Sequence, residues 1–102
     1  MRSLRISKTF NLELAILLSQ GVENFGSRVV AGKRAIVYHT IETVIINHPV
    51  RPADPDVGIC AYFIRKTPFV VLYDYDDTEL RVYLVIHSHA DRTKVDLSKV
   101  VW

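Results

Sequence analysis

The residues with the clearest chemical potential are His87-Ser88-His89-Ala90-Asp91. Two histidines at i and i+2, leaving a strand, can point the same way, and imidazole with carboxylate suits a tetrahedral metal. Such a centre needs further ligands. Only 11 residues follow Asp91, none of them His or Cys, and His39 and His48 fall on or just after a predicted helix. The set is incomplete, so these imidazoles read as solvated groups where a strand leaves its sheet, and no metal or cofactor is expected. Arg65, Lys66, Arg81, Arg92 and Lys94 gather near predicted strand ends. They form a basic rim or are simply solvated, the default for surface Lys and Arg. There is no nucleophile elbow, P-loop or dinucleotide fingerprint, and the glycines at 21, 26, 32 and 58 are isolated. Tyr62, Tyr73, Tyr75 and Tyr83 read as core or interface residues with the hydroxyl at the wet end, in preference to a base-stacking platform.

The element that must position these groups runs from Pro68 to His87, PFVVLYDYDDTELRVYLVIH. Two runs rich in β-branched and aromatic residues flank a polar insert, Asp74 to Glu79, which is costly to bury and belongs at an exposed hairpin tip. After the tip, Leu80, Val82, Leu84 and Ile86 alternate with Arg81, Tyr83, Val85 and His87, which predicts two faces. This antiparallel hairpin is placed at the centre of a sheet.

Upstream, Leu4 and Ile6 alternate with Arg5 and Ser7, a short strand for the sheet edge. Phe10, Leu14, Leu17 and Leu18 then make one helical stripe, with Thr9 as N-cap and Gly21 as the stop. A second helix is predicted over Phe25 to Asn47. Val30, Val37, Ile41, Val44 and Ile45 make its inner stripe, Arg28, Lys33, Arg34 and Glu42 lie off it, and Pro49 ends it. The β-branched residues near its end leave helix or strand open there. Residues 47–58 form a Pro/Asp loop, and Gly58 to Lys66 a further strand. The fold class is α+β, in the order β-α-α-β-β-β: a helical hairpin on a mostly antiparallel four-stranded sheet. Residues 1–102 are expected to form one domain. In the tail, 93–102, Asp96 caps a short turn or the chain lies extended across the body. No internal repeat is expected.

The bulk numbers restrict function. With 13 Lys+Arg against 11 Asp+Glu, the chain lacks the strong positive charge of most nucleic-acid binders. The lone cysteine, Cys60, reads as a buried thiol. No stretch approaches the ~18 apolar residues of a membrane helix, and MRSLRISKTF lacks a signal-peptide core, so a cytoplasmic protein is expected, with no membrane partner. At 49% hydrophobic residues, so small a domain should leave apolar surface for a protein partner.

Two resemblances bear on this. The HxHxD spacing at 87–91 is similar to the zinc signature of the metallo-β-lactamase superfamily, but that fold is far longer and collects its remaining ligands downstream. The element order, the helical part FNLELAILLSQGVENFGSRVVAGKRAIVYHTIE and the segment KTPFVVLYDYDDTELRVYLVIHSHADR resemble the ParE/RelE superfamily of toxins from type II toxin–antitoxin modules, up to about Asp91-Arg92. That resemblance implies a cognate antitoxin, forming a hetero-oligomer, whose C-terminal segment covers apolar surface on the toxin. It implies either ParE-like poisoning of DNA gyrase, which is not catalysis, or RelE-like cleavage of mRNA on the ribosome. RelE-like ribonucleases commonly carry an arginine early in the third strand, where this chain has Phe69-Val70-Val71, and a basic or tyrosine-bearing C-terminal segment, where it offers His87, His89, Arg92 and Lys94. The ParE-like reading is therefore favoured. A ribonuclease would have to use His89 as acid or base and Arg65, Arg81 and Arg92 on phosphate. Arg65, Lys66, His87, His89, Arg92 and Lys94 are the target-binding candidates. A non-toxic interaction domain of the same fold is a further alternative.

Overall fold

Strand β1 (Ser3–Ile6) passes directly into helix α1 (Lys8–Phe25) with only Ser7 between them. A computed structural model describes residues 2–102, leaving out the side chains of 22–25. Ser7, not Thr9, is the cap: its Oγ accepts from the Phe10 N–H at 2.8 Å and donates to the Tyr83 carbonyl at 2.5 Å. A helix that starts without a loop must find its cap at the strand's last residue. Gly21 does not stop α1. It sits within the helix where a Cβ would come 3.3 Å from Val30 Cγ2, so its lack of a side chain lets the two helices approach. The break falls at Gly26, whose φ of 84° favours glycine.

Helix α2 (Ser27–Thr40) therefore begins later than expected; the side chain of Phe25 lies outside the described residues. It ends in a wide π-type turn, Ile41–Ile45, with the Ile46 N–H on the Ile41 carbonyl. The wider turn keeps Ile41 and Ile45 on the sheet and moves Val44 out of the predicted stripe to an exposed position. Strands β2 (Cys60–Phe63), β3 (Phe69–Tyr75) and β4 (Glu79–His87) complete a sheet of order β1-β4-β3-β2. β3 and β4 form the central antiparallel hairpin, and only the β1–β4 pair is parallel. Strand β2 is shorter than predicted. The Asp54–Gly58 turn precedes it, and the Ile64 N–H bond to Phe69 O turns Arg65 and Lys66 out of the strand.

The core between helices and sheet includes Phe10, Leu14 and Leu18 of α1, Val37 of α2 with Ile41 and Ile45 beyond it, and Val71, Tyr73, Leu80, Val82 and Val85 of the hairpin. The predicted two-face alternation of β4 fails midway. The register slips beside Leu72 and Tyr73, so that Leu72 faces Leu84 while Tyr73 faces Val82, leaving Tyr83 as a bulge. Beyond it Val85 rather than Leu84 enters the core. Tyr73 is fully buried; its hydroxyl donates to Pro49 O at 2.8 Å and ties the Pro/Asp loop to the sheet. Burial pushes that phenol up to about 12.

The tail does both things left open for it, and it contains a short repeat that was not expected. Asp91-Arg92-Thr93-Lys94-Val95 and Asp96-Leu97-Ser98-Lys99-Val100 fold alike. In each, the aspartate Oδ1 accepts from the backbone N–H (3.0 Å) and hydroxyl (2.6 Å) of the residue two on. Each pentad closes as one 3₁₀ turn. The Arg92 guanidinium donates to Asp54 at 2.5 Å, just ahead of β2. At the other end Trp102 lies edge-on to Tyr83, under the Arg5 guanidinium, and Val101 pairs with Thr9. These anchors carry the tail as a strap from the β2 side of the sheet to the β1 side, over the face away from the helices. There Val70 and Leu72 are 1% and 0% exposed.

Candidate functional site

At the end of the sheet away from the hairpin tip, three segments meet. The tight turn from Ile64 to Phe69 is closed by the Thr67 hydroxyl, which donates to Ile64 O and accepts from the Phe69 N–H. His87, the last residue of β4, pairs with Phe69, and the Ser88 N–H bonds Pro68 O at 2.7 Å. Lys33 of α2 completes the group, its ammonium donating to the Lys66 carbonyl at 3.2 Å. Arg65, Lys66, His87 and His89 are thus gathered by topology. Lys33, which had read only as an off-stripe residue, joins them. Nothing in the sequence separates it from any other helix-surface lysine.

The remaining candidates lie elsewhere. Arg81 pairs with Asp74 beside the hairpin tip, six residues of strand from His87, about 20 Å. Its guanidinium is held by Asp74 (2.6 Å), Asp76 (2.8 Å) and Glu79 (3.3 Å). These carboxylates raise its affinity for the proton, and in return Arg81 and the Thr78 and Glu79 donors hold Asp76 well below the usual carboxylate range. Arg92 is committed to Asp54. Burial opposes ionisation of that carboxyl, but Arg92 and the backbone N–H groups of Asp56 and Val57 outweigh it and lower it overall. Lys94 is exposed on the strap.

The rings of His87 and His89 lie 5.3 Å apart, and the His89 backbone N–H donates to His87 Nδ1 at 3.1 Å. Among the described residues no three His, Cys, Asp or Glu side chains come together to hold a metal. The arrangement can bind an anion through Arg65, Lys66 and Lys33, with imidazole donors beside them; Arg65 and Lys66 make no ion pair among the described residues. A general acid at His89 would find Arg81 at the far end of β4 and Arg92 already paired with Asp54.

No protein-family model and no curated protein sequence matches this chain significantly. A chain in the solved structure of the "chromosomal ParDE TA system from P. aeruginosa" has the same architecture. The TM-score is 0.69 at 15% identity, over 85% of this chain and 96% of that one. The fold is ParE-like. In this version of the ParE-like fold, two helices lie on a mixed four-stranded sheet, as the element order implied. No helix among the described residues is long and apolar enough to cross a membrane.

Proposed function

We propose that this chain is the toxin of a type II toxin–antitoxin module, a cytoplasmic ParE-like inhibitor of DNA gyrase held in check by a cognate antitoxin. The observation that carries this reading is the likeness in fold to a chain of a ParDE toxin–antitoxin structure. Surface chemistry supports the partner. Leu12 and Ile16, one turn apart on α1, are 61% and 42% exposed, and Val29 of α2 and Phe63 of β2 are also bare. An antitoxin segment covering them is expected to bury at least roughly 1,200 Å² in total, the lower end for stable complexes. Leu12→Glu with Ile16→Glu is expected to weaken capture by the antitoxin at least about tenfold, as loss of a central apolar anchor does. Unchanged affinity would move the antitoxin off α1.

The gyrase assignment also draws on chemistry, since Arg81 and Arg92 are both engaged by carboxylates instead of standing ready for phosphate. Inducing the chain alone in bacteria tests it: SOS induction with gyrase-linked DNA breaks is expected. Rapid translation arrest with cut mRNA would instead favour the ribonuclease reading, which the meeting of His87 and His89 with Arg65 and Lys66 keeps in view. On that reading, His89→Ala with Arg92→Ala abolishes toxicity and spares antitoxin binding; on the gyrase reading killing persists. Normal growth would leave a non-toxic interaction domain.

A further inference from the structure

Between the helical hairpin and the His87 end of the sheet lies a cavity of about 540 Å³, within the range of small-molecule sites. Its walls are hydrocarbon, from Leu17 and Leu18 of α1, Val30 of α2 and Phe69 of β3, while Lys33, Lys66 and His87 supply charge and hydrogen-bond donors. No Asp or Glu among the described residues lines it. The Lys33 ammonium donates to a backbone carbonyl instead of a carboxylate, and neither lysine is in an ion pair among the described residues. Because His87 Nδ1 accepts from the His89 N–H, the neutral imidazole carries its proton on Nε2. Two ammonium groups and an imidazole N–H therefore accompany an apolar chamber with no anion among the described residues that line it.

We propose that this cavity binds an apolar ligand bearing one carboxylate, of the size and kind of a medium-chain fatty acid. The hydrocarbon lies among Leu17, Leu18, Val30 and Phe69, and the carboxylate is held by Lys33, Lys66 and His87. The inference does not rest on the toxin reading: it follows from the pairing of hydrocarbon walls with cations that have no carboxylate partner among the described residues, and it holds for an inert domain equally.

Calorimetric titration of the whole chain with decanoate, below its micelle-forming concentration, tests it against 1-decanol. Decanoate is expected to bind saturably, one per chain, at least about tenfold tighter than the alcohol. Shortening the acid from decanoate to octanoate to hexanoate should weaken binding roughly fourfold per methylene lost. Lys33→Gln with Lys66→Gln changes groups at the surface, so the fold tolerates it, as a thermal melt will show. That variant should lose about tenfold for decanoate and nothing for decanol. Equal affinity for acid and alcohol, or an unaffected double variant, overturns the anionic class. Absence of saturable decanoate binding, or amide shifts induced away from Leu17, Val30 and Phe69, overturns the site.

Discussion

At the scale of single residues, Ser7 joins the start of α1 to the sheet through one hydroxyl. It caps α1, and its hydroxyl satisfies the carbonyl of the bulged Tyr83. Ser7→Ala strips a helix cap and leaves a partly buried acceptor without its donor, so a loss of about 1–2 kcal/mol is expected in urea unfolding. Thr9→Ala, which only frees the Val101 N–H at the surface, should cost well under half of that. Thr9 read as the cap, and Ser7 as part of the strand, because sequence does not reveal that no loop separates β1 from α1. Lys66 is the one described non-glycine residue with a left-handed backbone, φ 67°. Lys66→Gly should therefore stabilise the fold by about 1 kcal/mol. If toxicity falls while the melting temperature rises, the lysine is kept for what it binds and not for the turn. The Cys60 thiol is buried, and burial, with the Asp74 charge adding to it, pushes its ionisation up. A disulfide reagent near neutral pH should leave it untouched until the chain unfolds.

At the scale of elements, periodicity was legible wherever the backbone stayed regular. The Phe10, Leu14, Leu18 stripe and the central hairpin both follow from spacing alone. It misled where one extra residue enters: the bulge at Tyr83 hands the core from Leu84 to Val85, and the π-type turn expels Val44. Neither irregularity has a local signature, since each answers to a neighbour in space. The strap is an element of another kind, two pentads with little buried surface of their own, pinned by Arg92 to Asp54 and by Trp102 to Tyr83. Deleting 93–102 should uncover the apolar rows around Val70 and Leu72, seen as a rise in binding of a hydrophobic dye and a tendency to precipitate. The Asp54 carboxyl is lowered in the folded chain, so the free energy that its ionisation contributes is complete above its ordinary value of 3.8. It fades as the pH falls through the depressed one. Protection of the amides in 92–102, relative to their intrinsic exchange rates, should accordingly fall as the pH drops below about 4, and Asp54→Asn should show that lower protection already at neutral pH.

At the scale of the whole molecule, order of elements and hydrophobic patterning were enough to reach the architecture, because both are properties of the chain read in line. The site was legible only in part. Lys66, His87 and His89 stood out by type, yet what unites them is the Ile64–Phe69 turn closing against the end of β4, with Lys33 arriving from a helix 33 residues earlier. Arg81 matched the same chemical description and sits at the opposite end, neutralised by three acids. Distance in space, not residue type, divides the two groups. One last feature lends itself to experiment. The only tryptophan, Trp102, is in the strap and not in the interior, so emission excited selectively at tryptophan watches the strap alone. A fluorescence midpoint that precedes the loss of helical dichroism during denaturation would be the optical signature of a cover lifting from an otherwise intact body.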